Sequence, residues 1–190
     1  MIRIGILGDI GSGKSYVAKN FGYPVFNADY EVSKLYKKDK KIFTELKKQL
    51  PKYISSFPVN KNEITKAILD NKDNLKKIIT IVHLEIRKIL KLFLKKNRNK
   101  KAVILDIPLL LENKINNQND ILIFIDSKKE EIEKRLKKRV NFNRKLINKF
   151  KKIQFSSGYK KRKSDFIIKN NFNKNSLNKS IKIILNEILK

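Results

Sequence analysis

The chain contains no cysteine and no tryptophan, and only one methionine and one histidine. Lack of cysteine excludes disulfides, thiolate nucleophiles and cysteine-ligated zinc, and a lone His83 cannot build a metal cluster by itself. No run of about 20 apolar residues occurs, so no transmembrane helix is expected. The opening MIRIGILGD lacks the basic region, apolar stretch and small-residue cleavage site of a signal peptide. Together these absences are expected of a cytoplasmic protein. Acidic residues are scarce too, with 18 Asp and Glu against 46 Lys and Arg, a formal charge of +28. Such an excess attracts polyanions. A surface selected for nucleic acid would gather it into a stripe or a recognisable module. Here lysine is instead spread over helices together with asparagine and isoleucine, residues that share A- and T-rich codons. Compositional bias therefore accounts for the charge, and no specific nucleic acid is expected as partner. With 190 residues, 41% of them hydrophobic, the chain is long enough for one α/β domain with a real core.

What glycine there is, is concentrated. Three of the six glycines fall in the six residues GDIGSG, which open the stretch GDIGSGKSYVAKNFG directly after the apolar run IRIGIL. Gly8, Gly11, Gly13, Lys14 and Ser15 fit G-x-x-x-x-G-K-[ST], a loop whose backbone N–H groups turn toward an anion. The helix read from Lys14 to Phe21 adds its positive N-terminal end. In this chemistry the lysine reaches the β- and γ-phosphates of a nucleotide, and the serine hydroxyl ligates magnesium. The stretch Gly8, Asp9, Ile10, Gly11, Ser12, Gly13, Lys14, Ser15 and Tyr16 is thus the expected ATP cradle, with Mg²⁺ as the accompanying cation.

Further apolar runs have the length and β-branched content of buried parallel strands: YPVFNA around Val25, Ala102 to Ile107, Ile121 to Asp126, and more weakly SDFIIKN. Helical stretches lie between them, which predicts a doubly wound parallel sheet of P-loop NTPase type. Ligands in such sheets gather at the carboxyl ends of the strands. The interval from Tyr30 to Lys100 has no convincing strand; two helices are expected there, Glu31 to Leu50 and Lys61 to Lys96, joined by the loop PKYISSFPVN. The expected organisation is one kinase domain: core 1–30, 100–127 and 164–190, a helical acceptor-binding insertion at about 31–99, and a helical lid at about 128–163 carrying Arg135, Arg139, Arg144 and Arg162. A closing helix is read over Asn175 to Lys190.

Several residues have two readings from local sequence. Asp29, just past the second strand, is either a general base or the N-cap of a helix starting near Tyr30. Asp106, at the end of a strand, is either a magnesium ligand acting through water or a simple strand-end carboxylate. His83 lies in TIVHLEIRK, one helical turn before Arg87. The pair either faces a ligand or is structural.

The motifs GDIGSGKSYVA, NAD, VHLEIRK, LDIPLLLE, DILIFID, KRLKKR and KIQFSSGYKKRKSDFIIKNN, in that order, make the chain resemble the dephospho-coenzyme A kinase family essentially from end to end. The resemblance implies ATP-dependent phosphorylation of the ribose 3′-hydroxyl of dephospho-CoA. ATP and dephospho-CoA are then the small-molecule partners, with Mg²⁺ as cofactor and a monomer or weak homo-oligomer as the assembly. It implies catalytic roles for Asp29, Lys14 and Arg139, acceptor binding by Asp29, His83, Arg87 and Asp106, and metal binding by Ser15 and Asp106. The chain departs from the family pattern at Asp9 (commonly Gly), Tyr16 (commonly Thr), Asn27 (commonly Asp), Leu84 (commonly Pro) and Phe150 (often Arg). A P-loop kinase for another small acceptor, such as a nucleoside monophosphate, and a polyanion-binding protein on the same fold are the alternative readings.

Overall fold

The computed structural model describes residues 1–140 and 142–190. The chain divides into two compact units. The first comprises Met1–Asn27, Leu94–Phe142 and Ile153–Lys190, the second Ala28–Phe93 and Asn143–Lys152.

The first unit is built on a sheet of β1 (Ile2–Gly8), β2 (Val25–Asn27), β3 (Ala102–Asp106), β4 (Ile121–Asp126) and β5 (Phe166–Lys169). The strands are parallel and ordered β2-β3-β1-β4-β5. Their β-branched sequences fit a sheet covered on both faces. On one face Ile4, Ile6, Ile104, Ile123, Ile125 and Ile168 pack with Val17 and Ala18 of α1 (Lys14–Lys19). Leu177, Ile181 and Ile184 of α9 (Lys174–Ile188) complete that layer. Burying each such isoleucine contributes about 1.5–3 kcal/mol. Side chains alternate along a strand, so Gly5 belongs to the opposite face. A Cβ there would lie 2.6 Å from Leu110 Cδ2 and 2.9 Å from Leu122 Cδ2. The bare backbone at Gly5 thus admits Leu110 and seats the LDIPLLLE loop beyond β3. With β1 flanked by β3 and β4, the chain connections diverge at the end of β1, where a doubly wound sheet opens its crevice. The glycine loop begins at that point. Helices α6 (Lys129–Lys137) and α8 (Ser157–Arg162) complete this unit.

The second unit holds α2 (Ala28–Lys38), α3 (Lys40–Gln49), α4 (Lys61–Asp70), most of α5 (Lys72–Lys96) and most of α7 (Arg144–Ile153). No strand occurs between residues 30 and 100 among the described residues. Each of the two long helices expected there is two helices. Asp39 breaks the first, since its carboxylate accepts from the N–H groups of Lys41 and Ile42 and caps α3. Asn71 breaks the second, adopting extended backbone at the end of α4 and accepting from Asp73 N at 2.9 Å. Beyond that break α5 buries Leu75, Ile78, Val82, Ile86 and Leu90, the stripe of an amphipathic helix. Among the described residues no helix is long and apolar enough to cross a membrane.

Candidate active site

The glycine loop leaves β1 through Gly8 and enters α1 through Gly13. Gly13 has φ 92° and caps α1 without a side chain, so no side-chain cap occupies the leading amides of the helix. A Cβ at Gly13 would stand 2.7 Å from Asn170 Nδ2, and one at Gly8, with φ 148°, would stand 2.7 Å from Ser12 Oγ. Neither position accepts a larger residue without distorting the loop. The loop is also held from below: the Ser12 carbonyl accepts from Asn170 Nδ2 at 2.9 Å and from Ser127 Oγ at 3.0 Å. Asn170 is buried and follows β5 directly. Its supporting role was not assigned from sequence, because only the β4–β5 pairing brings it, 158 residues away, to the loop. Lys14 Nζ donates to the carbonyls of Gly8 at 3.0 Å and Asp9 at 2.8 Å, which holds the ammonium across the loop. Ser12 is fully buried, its Oγ without a hydrogen-bond partner among the described residues, while Ser15 and Tyr16 are exposed and Ile10 is half-buried.

Asn27 and Asp106 are register partners at the ends of β2 and β3. Asn27 Nδ2 donates to Asp106 Oδ2 at 2.5 Å, orienting a carboxylate that is otherwise buried. An aspartate at position 27 would instead set two carboxylates against each other. The chain then passes without a loop residue from β2 into α2, which begins at Ala28. Asp29 accordingly lies inside the first turn of α2 and is exposed. That placement removes the alternative in which it caps a helix starting near Tyr30.

Arg139 follows α6 and is exposed, its N–H donating to Leu136 O at 3.1 Å. Arg135, also offered by sequence for phosphate, lies over the Phe172 ring at 4.2 Å from the centroid. The structure therefore places the glycine loop, Asn27, Asp106 and Arg139 in the first unit, and Asp29, His83 and Arg87 in the second.

His83 is half-buried on α5, with its Nε2 enclosed and without a hydrogen-bond partner among the described residues. Burial, and secondarily the Arg87 charge, lowers its pKa from the ordinary value. The unfolded chain takes up this proton first as the pH falls below about 6.5. Stability from this group is therefore complete above that pH and declines below it, toward the depressed folded value. Between pH 7.5 and 5.5 the melting temperature of the wild type should fall further than that of His83→Gln. Equal losses in the two proteins would remove this coupling.

Residues 2–176 match the family model described as CoaE, dephospho-CoA kinase. Over 190 aligned residues the chain is 33% identical to the dephospho-CoA kinase of Wolbachia sp. subsp. Brugia malayi, covering 97% of each chain. It is likewise 33% identical to that of Rickettsia felis, over 97% of both chains. Among solved structures, TT1252 from Thermus thermophilus is similar with a TM-score of 0.80 and 25% identity, over 98% of this chain and 97% of that one. A dephospho-CoA kinase from Campylobacter jejuni superimposes with a TM-score of 0.63 at 22% identity, over 98% of this chain and 96% of that one, a likeness of fold. With its glycine loop on a parallel sheet and this match along nearly its whole length, the chain belongs to the dephospho-CoA kinase family.

Proposed function

We propose that this chain transfers the γ-phosphate of ATP to the ribose 3′-hydroxyl of dephospho-CoA, giving CoA and ADP. The observation that carries the reading is the match of residues 2–176 to the dephospho-CoA kinase family. The geometry supports it: a glycine loop with Lys14 drawn across it is built for a nucleotide's phosphates. In the proposed reaction the 3′-oxygen attacks the γ-phosphorus, the bond from that phosphorus to the ADP oxygen breaks, and the hydroxyl proton passes to Asp29. Gly8 to Tyr16 hold the ATP, and Lys14 takes the β- and γ-phosphates. His83, Arg87 and Asp106 bind the acceptor, and Arg139 approaches the phosphate in transfer.

The oxygen donors present fit Mg²⁺. Ser15 offers an exposed hydroxyl and Asp106 an oriented carboxylate, and among the described residues no group of three or more His, Cys, Asp or Glu is placed to hold a metal ion by itself. That sparse set suits a cation held largely by water and phosphate oxygens. When bound, Mg²⁺ supplies positive charge against the phosphates. We further assign the acceptor to the helical insertion at about 31–99, a lid to about 128–163, and the reaction to a cytoplasmic monomer or weak homo-oligomer.

The test is ADP formation from MgATP with dephospho-CoA, with nucleoside monophosphates, and with no acceptor. Stimulation by dephospho-CoA alone is expected. Stimulation by a nucleoside monophosphate instead would leave a P-loop kinase of different specificity.

A further inference from the structure

Asp9 is the first residue after Gly8 in the glycine loop, and its two polar ends are engaged separately. Its backbone carbonyl accepts from Lys14 Nζ at 2.8 Å. Both of its carboxylate oxygens lie 2.7 Å from Ser157 Oγ, the first residue of α8. A serine hydroxyl has one proton to donate, so that proton is directed onto the carboxylate as a whole. A negative charge in a loop that receives a triphosphate opposes the ligand, and the more so when the side chain is loose.

The rest of α8 does not depend on this bond. Lys160 is buried, with Nζ 3.3 Å from Gln154 Oε1 and 3.8 Å from Glu112 Oε1. Lys161 Nζ reaches Asp126 Oδ2, at the end of β4, at 2.8 Å. The N-cap is the neighbouring Ser156, whose Oγ accepts from Tyr159 N at 3.2 Å. Helix position and cap are thus supplied by other residues, which leaves the Ser157 hydroxyl with Asp9 as its partner.

We propose that Ser157 is a positioning residue for nucleotide binding: it holds the Asp9 carboxylate against α8 and so sets the affinity of the glycine loop for MgATP. The inference rests on the reading of that loop as the ATP site. Its test is MgATP affinity by calorimetry, with steady-state kcat and KM, for wild type, Ser157→Ala, Ser157→Thr, Asp9→Asn, the Asp9→Asn/Ser157→Ala double variant, and Lys14→Ala. Ser157→Ala should weaken MgATP binding about three- to tenfold, the range of an exposed charge-assisted hydrogen bond, and raise KM for ATP while kcat stays within about twofold. Ser157→Thr, which keeps the hydroxyl, should restore affinity. In the Asp9→Asn background, with no charge to hold, Ser157→Ala should add no further loss. Unchanged affinity in Ser157→Ala overturns the proposal. So does a loss that persists in the Asp9→Asn background, which would mark Ser157 as merely structural. If Lys14→Ala binds MgATP like the wild type, the ATP-site reading falls and this inference with it. If Lys14→Ala loses binding while Ser157→Ala does not, only this inference falls.

Discussion

Asp29→Asn should lower kcat by about 10²–10⁴, the usual contribution of a positioned general base, and leave the affinity for MgATP close to that of the wild type. The substitution keeps size and removes the capacity to take the acceptor's proton. Asp29 is exposed in the first turn of α2, where a negative charge favours the helix by about 0.3–1 kcal/mol. Loss of that charge costs a little stability and does not unfold the protein. A steady-state assay alongside a thermal melt separates the two effects. Turnover within about threefold of wild type, set against the general-base range, would take the base assignment away from Asp29, and the acceptor hydroxyl would have to lose its proton elsewhere.

Lys14→Ala should have the second large effect, a fall in kcat/KM of at least about 10²–10³, the scale of losing one preorganised charge stabiliser. Here binding fails together with chemistry. The ammonium bridges the carbonyls of Gly8 and Asp9, and the proposed ground state and transition state both carry phosphate charge beside it. MgATP affinity is therefore expected to drop along with turnover, in contrast to Asp29→Asn. Lys14→Arg should rescue poorly, because a planar fork does not replace a compact point charge within a tight loop. Wild-type ATP affinity in Lys14→Ala would mean that the glycine loop does not hold the phosphates.

The sheet was legible because its strands are continuous apolar runs, and the glycine loop because its spacing is local in sequence. Ile121–Asp126 is a strand with the bounds that its composition suggests. The helix breaks at Asp39 and Asn71 were harder to see. Hydrophobic periodicity runs through both, and the break depends on one side chain capping backbone N–H groups within a polar stretch. Contacts made across the fold left no trace in the sequence. Asn27 meets Asp106 only through the β2–β3 register, Asn170 reaches Ser12 only once β5 is in place, and Asp9 meets Ser157 at a separation of 148 residues. The excess of lysine also hid engaged cations. Lys160, buried with Glu112 and Gln154, looks no different in the sequence from its solvated neighbours.

The central claim is the identity of the acceptor atom, and the most direct measurement locates the phosphate in the product. The protein is incubated with MgATP and dephospho-CoA, and the product is examined by phosphorus and proton NMR. The account predicts one new phosphomonoester on the ribose 3′-oxygen, formed in step with ADP and absent with Lys14→Ala. ADP release without that phosphoester, or a phosphate on any other atom, would contradict it.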